Sequence, residues 1–213
     1  MSCCDPGRYG RFFNQRFAGR VARKYRRRGL DAPSRRIADF LKARDLEGAT
    51  VLEIGGGVGE IQVELLKAGA ARSVNLELSP EYDAEARRLA EENGVGDRVD
   101  RRLHDIAAEP ETVEPADVVV LHRVVCCYPD YERLLGAAAD HAKRLLVFSY
   151  PPRSALSRAF VTLANTFLAL RGSDFRSFTH PPTAMLSVLD RRGLRRTYEH
   201  HGLVWQIAGL ERG

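Results

Sequence analysis

The sequence predicts an α/β fold, a mostly parallel sheet with helices on both faces, and three stretches carry that expectation. In VLEIGGGVGEIQVELLKAG, Val51, Leu52 and Ile54 read as a buried strand end and the glycines as a turn closed to bulky side chains. Ile61, Leu65 and Leu66 then form one face of a helix that stops at Gly69. The second stretch, RSVNLELS, is a strand ending in Glu77, 22 residues beyond Gly55. The third, ADVVVL from Ala116 to Leu121, is the unbroken apolar run that a parallel strand covered on both faces requires. Strand, glycine turn and helix make a crossover unit in which the backbone N–H groups at the helix start face a ligand.

The elements follow in chain order. The 213 residues suit one domain with a small cap, and 44% hydrophobic content supports a substantial core. The net charge of +5 is uneven: from Met1 to Arg36 eleven Lys or Arg stand against Asp5 and Asp31, a net +9, and the remainder carries −4. Within this basic segment Phe13, Phe17, Val21 and Tyr25 recur every fourth residue, the apolar face of a helix ending at Gly29. It reads either as a solvated helix packed by that face or as a lid whose arginines hold an anionic substrate. With a second helix near Pro33 to Ala43, residues 1–45 form an N-terminal helical cap and 46–213 the ligand-binding domain.

After Glu77, Ser79 is placed to cap and Pro80 to start the helix PEYDAEARRLAEEN, which stops at Asn93-Gly94. A third strand near Arg98 to Leu103 leads to His104-Asp105-Ile106. Beyond ADVVVL, the stretch HRVVCCYPDYERLL is broken by Pro129, and Asp130 is placed to cap the next helix. RLLVFSY, Arg144 to Tyr150, is a fifth strand. A helical insertion at 151–193 begins with Leu156, Ala159, Phe160, Leu163, Phe167 and Leu170 at helical spacing, a stripe suited to core packing or a homodimer face. GSDFRSFTHPP is irregular, and LRRTYEHHGLVWQIAGLER closes the chain as two strands turned at His201-Gly202.

Several function classes drop out. No apolar run approaches the roughly 20 residues of a membrane span, and the N-terminus lacks the apolar core of a signal peptide, so a cytoplasmic location is expected. Cys3-Cys4 and Cys126-Cys127 are adjacent pairs, unlike the spacing of zinc sites or disulfide frameworks, so free thiols and no metal are expected.

The glycine turn is consistent with more than one ligand, and its register separates them. For G-x-G-x-x-G, counting from Gly55 puts Glu60 in the last glycine position, and counting from Gly57 puts Gln62 there. A P-loop needs a Gly-Lys pair, which the chain lacks. What remains is E-x-G-x-G-x-G, written by Glu53, Gly55, Gly57 and Gly59, with Gly56 between them. This resembles motif I of the class I S-adenosylmethionine-dependent methyltransferases, which implies their Rossmann-like fold, a seven-stranded sheet of order 3-2-1-4-5-7-6, and S-adenosylmethionine as cofactor. An acidic residue about 20 positions after the turn is placed for ribose hydroxyls, which assigns Glu77, with Leu78 beside it. The resemblance also implies Asp105 for the adenine amino group, Ile106 against the ring and His122 at the fourth strand's end. The antiparallel closing pair marks this fold apart from nucleotide dehydrogenases.

CYPDYERLL, SYPP and the closing W-Q-I-A resemble, from about Arg16 to Arg212, the magnesium-protoporphyrin IX O-methyltransferases and their uncharacterised bacterial relatives. Where photosynthetic members carry a histidine just before the Tyr-Pro, this chain has Cys127. The expected activity is methyl transfer to a small-molecule acceptor at oxygen, the acceptor being a porphyrin carboxylate or another anionic or aromatic compound. A carboxylate acceptor would need no base near pH 7, whereas a hydroxyl would. His122, His180 and Tyr25 are the catalytic candidates, with Tyr128 and Arg123 also on the acceptor side; His200 and His201 fall in the closing turn and read as solvated. The rival readings are an RNA-directed methyltransferase and a non-catalytic cofactor-binding adaptor, each using the basic helix. The place of the N/D-P-P-Y tetrapeptide of base-amino methylation reads CYPD, and no Pro-Cys nucleophile is present.

Overall fold

A computed structural model describes residues 12–213. Seven strands form one sheet of order β3-β2-β1-β4-β5-β7-β6: β1 Thr50–Ile54, β2 Arg72–Glu77, β3 Val99–Leu103, β4 Ala116–Leu121, β5 Ala142–Tyr150, β6 Leu194–His201 and β7 Gln206–Arg212. β1 to β5 pair in parallel, and β7 runs antiparallel to both β5 and β6, as the resemblance implies. The fifth strand starts at Ala142 rather than Arg144.

Side chains along a strand alternate between faces, and here both faces are covered. In β4, Val119 and Leu121 join one apolar cluster and Val118 and Val120 the other, all fully buried. That double burial is why the strand reads as a continuous apolar run. At about 1.5–3 kcal/mol for each fully buried aliphatic side chain, this strand is a main stabilising element. Helices α1 (Gln15–Arg28), α2 (Ala32–Lys42), α3 (Glu60–Lys67) and α4 (Asp83–Glu92) contribute to one cluster; α5 (Tyr131–Asp140) and α7 (Pro182–Asp190) contribute to the other.

Local sequence explains most helix ends. Asn14, Asp31 and Asp130 cap α1, α2 and α5 by accepting from the backbone N–H three residues on. Ser79 does not cap. Pro80 opens a short 3-10 turn, α4 starts only at Asp83, and the Ser79 hydroxyl donates instead to the Phe13 carbonyl at 2.9 Å.

Two further expectations change. In α1 the buried face is Ala18, Ala22 and Tyr25; Phe13 precedes the helix, and Phe17 and Val21 are only half-buried. The insertion divides into two unlike parts. Its second half, α7, buries Met185, Val188 and Leu189 in the core. Its first helix, α6 (Ala155–Leu170), has no buried residue, so its stripe is not core packing. Among the described residues, no helix is long and apolar enough to cross a membrane.

Candidate active site

The strand order reverses between β1 and β4, and in an open parallel sheet the crevice beyond the strands' carboxyl ends at that point is where ligands bind. A cleft of roughly 1070 Å³, partly open to solvent, occupies this position.

One wall is written by residues close in sequence. Glu53 and Ile54 end β1, and the chain turns through Gly55 and Gly57 at φ +64° and +56°. A Cβ at Gly55 would lie 2.5 Å from Val124 Cγ2 on the opposite wall, so only glycine fits both the backbone and the space. Glu77 organises the turn. Its Oε2 accepts from Gly57 N–H at 2.9 Å, and its Oε1 accepts from Leu78 and Ser79 N–H at 2.7 and 3.0 Å. Arg101 braces the same turn from below, donating to the Gly57 carbonyl and to Asn75 Oδ1, both at 2.9 Å.

Glu53 is buried and accepts from Gln62 N–H at 3.3 Å; burial, helped by the neighbouring Glu60 charge, pushes its carboxyl well up. Burial also raises Glu60. Further along, Asp105 Oδ1 accepts from Ala107 N–H at 3.0 Å, and Tyr128 O–H donates to the Asp105 carboxylate at 3.0 Å. Among the described residues, Glu53, Glu60, Glu77 and Asp105 are the carboxyl groups that line the cleft, and Arg123 is the one Arg or Lys.

The other wall is assembled from distant parts of the chain. Phe13, Phe17 and Val21 come from the N-terminal segment, Tyr82 from the turn after β2, and Val124, Cys127 and Tyr128 from the loop after β4. The loop is fixed by a hydrogen-bond chain. Ser149 Oγ, fully buried, accepts from Arg123 N–H at 2.9 Å, which leaves its hydroxyl proton for His122 Nδ1 at 2.9 Å. His122 Nε2–H then faces Ser34 Oγ at 3.2 Å, and Ser34 donates to Asp31 Oδ1 at 2.9 Å. Burial, aided by the Arg123 charge, lowers His122 to about 3, so the ring is neutral and both nitrogens are engaged.

Arg123 is the one non-glycine residue at positive φ among the described residues, at +63°. Its Nη2 donates to Asp31 Oδ2 at 2.7 Å, while its Nε is buried without an acceptor. Burial pushes the Asp31 carboxyl up, but the Arg123 hydrogen bond and charge together with the Ser34 donors outweigh it and hold Asp31 well below the usual carboxylate range. A long side chain held in a sparsely populated backbone region beside a cleft is the kind of strain that accompanies function.

The structure gathers most of the sequence-predicted site and disperses part of it. Glu53, Gly55, Gly56, Gly57, Glu77, Leu78, Asp105, Ile106 and His122 line the cleft. Gly59 does not; at φ +79° it is the residue from which α3 starts. Of the catalytic candidates, Tyr25 lies off the cleft, its hydroxyl donating to Glu64 Oε1 at 2.7 Å. His180 also lies outside: its Nε2 donates to the Tyr128 carbonyl at 2.9 Å, pinning the insertion onto the loop after β4. His122 lines the cleft but has no ring nitrogen left to take a proton from a substrate. The arginines of α1 do not line it either; Arg26, for example, pairs with Glu85 and Glu92. Glu60 and Tyr82 were not anticipated, though an acidic residue in the first turn after the glycines is a signal for Glu60. Cys126 Sγ and Cys127 Sγ both donate toward the Arg123 carbonyl, at 3.7 and 3.6 Å; Cys3 and Cys4 lie outside the described residues.

Comparison with known proteins agrees with this geometry. A family described as methyltransferase domain matches residues 22–205. Ribosomal protein L11 methyltransferase of Aeromonas hydrophila is 41% identical over 81 residues, which is 38% of this chain and only 27% of that protein. Magnesium protoporphyrin IX methyltransferase of Synechocystis PCC 6803, solved with bound SAH, superimposes with a TM-score of 0.70 at 20% identity, covering 85% of this chain and 82% of that one. Mitomycin 7-O-methyltransferase superimposes at 0.60 with 27% identity, over 90% of this chain and 57% of the other.

Proposed function

We propose, for a chain that belongs to the methyltransferase-domain family of class I S-adenosylmethionine-dependent enzymes, methyl transfer to an oxygen of a small-molecule acceptor that is largely apolar and carries an anionic group. The observation that carries this reading is the cleft's pair of unlike walls, a carboxylate-lined glycine turn facing an aromatic surface that ends at Arg123.

The residues present fit S-adenosylmethionine. The glycine turn leaves open the space that a side chain at Gly55 would invade, and an acid-rich wall with Glu77 and Asp105 at the strand ends suits a ligand that brings positive charge and hydrogen-bond donors. Glu77 would hold the ribose hydroxyls, Asp105 the adenine amino group with Ile106 and Leu78 against the ring, and Glu53 with the Gly55–Gly57 backbone the methionine end. Bound there, the cofactor supplies a methyl group already activated on a sulfonium.

The chain's own contribution is orientation and exclusion of water. Phe13, Phe17 and Val21, from the N-terminal cap, cover the acceptor and restrict its approach, and such positioning can supply on the order of 7 kcal/mol of the barrier. His122 is not a free general base, since it is neutral and both its ring nitrogens are engaged; His104, which also lines the cleft, is engaged through Nε2, at 3.0 Å from the Glu109 carbonyl. A carboxylate acceptor fits that arrangement because it is ionised near pH 7. The half-exposed Arg123 guanidinium, which lines the cleft, is a cationic donor placed to orient it. The RNA-directed alternative finds no α1 arginine in the cleft itself.

Titration calorimetry with S-adenosylmethionine and its demethylated product tests the donor half; absence of binding by both at millimolar concentration overturns it. Glu77→Ala is expected to weaken binding by at least about tenfold, the scale of losing hydrogen bonds to a charged group. Mass detection of methylated product over a panel of carboxylated and hydroxylated aromatic compounds identifies the acceptor.

A further inference from the structure

Among the described residues, the least satisfied surface is that of α6. Leu156, Phe160, Leu163, Phe167 and Leu170 are 81, 69, 71, 53 and 83% exposed, and they lie on one side of the helix at spacings of four and three. The opposite side, with Ser157, Val161, Ala164, Asn165 and Leu168, is half-buried. An apolar stripe about four turns long is ordinarily covered, and here it points away from the protein while Arg158, Thr162 and Thr166 form a separate exposed polar sector, so the stripe is built to meet something nonaqueous.

Its position defines what that is. α6 follows directly on β5, at the carboxyl edge of the sheet where the cleft opens. Asn165 fastens it to the next loop, accepting from Ser177 N–H at 2.9 Å and donating to the Ser177 carbonyl at 2.8 Å; Phe178 N–H in turn donates to the Cys126 carbonyl at 2.7 Å. Phe175 stacks on the partly exposed Phe12, centroids 4.5 Å apart, at the entrance to the N-terminal segment. At the same edge, Gln206 pairs with Tyr150 at the end of β5, which places the β6–β7 turn there with Leu203 99% and Val204 66% exposed. Three separate parts of the chain thus present uncovered apolar side chains around one rim.

Charge chooses between occupants. From Pro151 to Ser173 there is no Asp or Glu, Asp174 being the next residue, while Arg153 and Arg171 are exposed at the two ends of α6 and Arg158 on its flank. Arg16, Arg20, Arg23, Arg27 and Arg28 of α1 are exposed as well. A twofold contact between two copies of α6 would set arginine-bearing faces against each other without carboxylates in the run to neutralise them. An anionic bilayer supplies both missing elements, hydrocarbon for the leucines and phenylalanines and phosphates for the arginines.

We infer that α6, with the β6–β7 turn and Phe12, docks this chain on the surface of a bilayer rich in anionic phospholipid, with the cleft's mouth toward the lipid. A consequence, which rests on the methyltransferase reading, is that the acceptor is an amphipathic molecule drawn from the bilayer.

Cosedimentation with phosphatidylcholine vesicles, with and without phosphatidylglycerol, tests the docking. The full chain is expected to sediment with the anionic vesicles, less so as salt rises and little with phosphatidylcholine alone. The double substitution Phe160→Glu, Leu163→Glu, on exposed sites away from the cleft, is expected to lower partition by about tenfold or more. The inference is overturned if the chain stays in the supernatant, if the double variant sediments as well as the parent, or if the chain is a dimer that these substitutions split and that never binds vesicles. Calorimetric binding of S-adenosylmethionine, measured without vesicles on parent and variant, reports the donor reading separately. Vesicle binding without cofactor binding leaves the docking standing and overturns only the donor assignment.

Discussion

The two walls of the cleft are made in opposite ways. The glycine wall comes from short segments, residues 53–60, 77–79 and 105–106, each at the end of a parallel strand, and its polar groups are held by backbone N–H groups nearby in sequence. The aromatic wall brings Phe13 and Phe17 to Val124 and Cys127 across more than half the chain, and is held by side chains from α2, β4 and β5. A wall made of strand ends is as rigid as the sheet. One made of a helix laid over the opening depends on a few hydrogen bonds, and its chemistry can vary without disturbing the fold.

The largest expected effect lies where the two walls touch. Gly55→Val combines a β-branched side chain at φ +64° with a Cβ 2.5 Å from Val124 Cγ2. It should cost about 3 kcal/mol or more of stability and remove measurable cofactor binding. Thermal melting and calorimetry check both. Gly55→Ala paired with Val124→Ala should recover part of the loss, because it removes the collision and leaves only the backbone strain.

Next comes the fastening of the aromatic wall. Ser149→Ala removes the acceptor for Arg123 N–H and the donor to His122 Nδ1 in a fully buried setting, so a loss of about 2–3 kcal/mol is expected in denaturant unfolding. If the walls are independent, the variant raises KM for the acceptor and leaves cofactor affinity within about twofold. An equal loss of both would show that the loop after β4 also carries the cofactor.

This asymmetry explains how much was legible in the sequence. The crossover unit and the cleft position follow from the glycine register, Glu77 and the valine run of β4, each a local pattern, while the strand order came from the resemblance that these motifs and the antiparallel closing pair carry. Ile54, Glu77 and Asp105 reach the cleft because strand ends in such a sheet have nowhere else to point. Tyr25 and His180 could not be placed, since side chains on helices and loops take their direction from tertiary packing. Tyr25 turns to Glu64 because the register of α1 buries Ala18 and Ala22 instead of Phe17 and Val21. Phe17 and Val21 were visible as an apolar stripe, yet nothing in the stripe distinguishes a face that packs on the core from one that roofs a cavity. The same ambiguity hid the exposure of α6.

A pH series separates the walls more gently. His122 is lowered from 6.5 to about 3, mainly by burial. The unfolded chain therefore binds a proton in this interval that the folded chain does not. The stabilisation is fully present above about pH 6.5 and is lost as pH falls toward 3, with a slope of up to about 1.4 kcal/mol per unit. Chemical denaturation between pH 7 and 4 should show that slope, and His122→Asn should flatten it. In the folded chain the ring stays neutral over this range, so acceptor KM and cofactor affinity should both hold to about pH 4 while stability falls; only as pH approaches 3 does protonation at Nδ1 break the bond from the Ser149 hydroxyl and loosen the aromatic wall, the Nε2–H contact with Ser34 remaining.

Phe17→Ala has the smallest expected effect and is the most discriminating. The side chain is half-buried, packed edge-on against Phe13 at 5.7 Å and Tyr82 at 6.4 Å between ring centroids. Its truncation should cost about 1 kcal/mol of stability, well below the 3–5 typical of a fully enclosed phenylalanine. If the roof only shelters the acceptor, KM for that substrate rises and kcat changes little, as for loss of binding shared by ground and transition states. If it also aligns the acceptor oxygen with the methyl group, kcat falls while cofactor affinity holds, because misorientation is felt only at the transfer itself. Steady-state kinetics on this single variant therefore distinguishes a cover from a positioning surface, and a fall in cofactor affinity would show that the two walls are one.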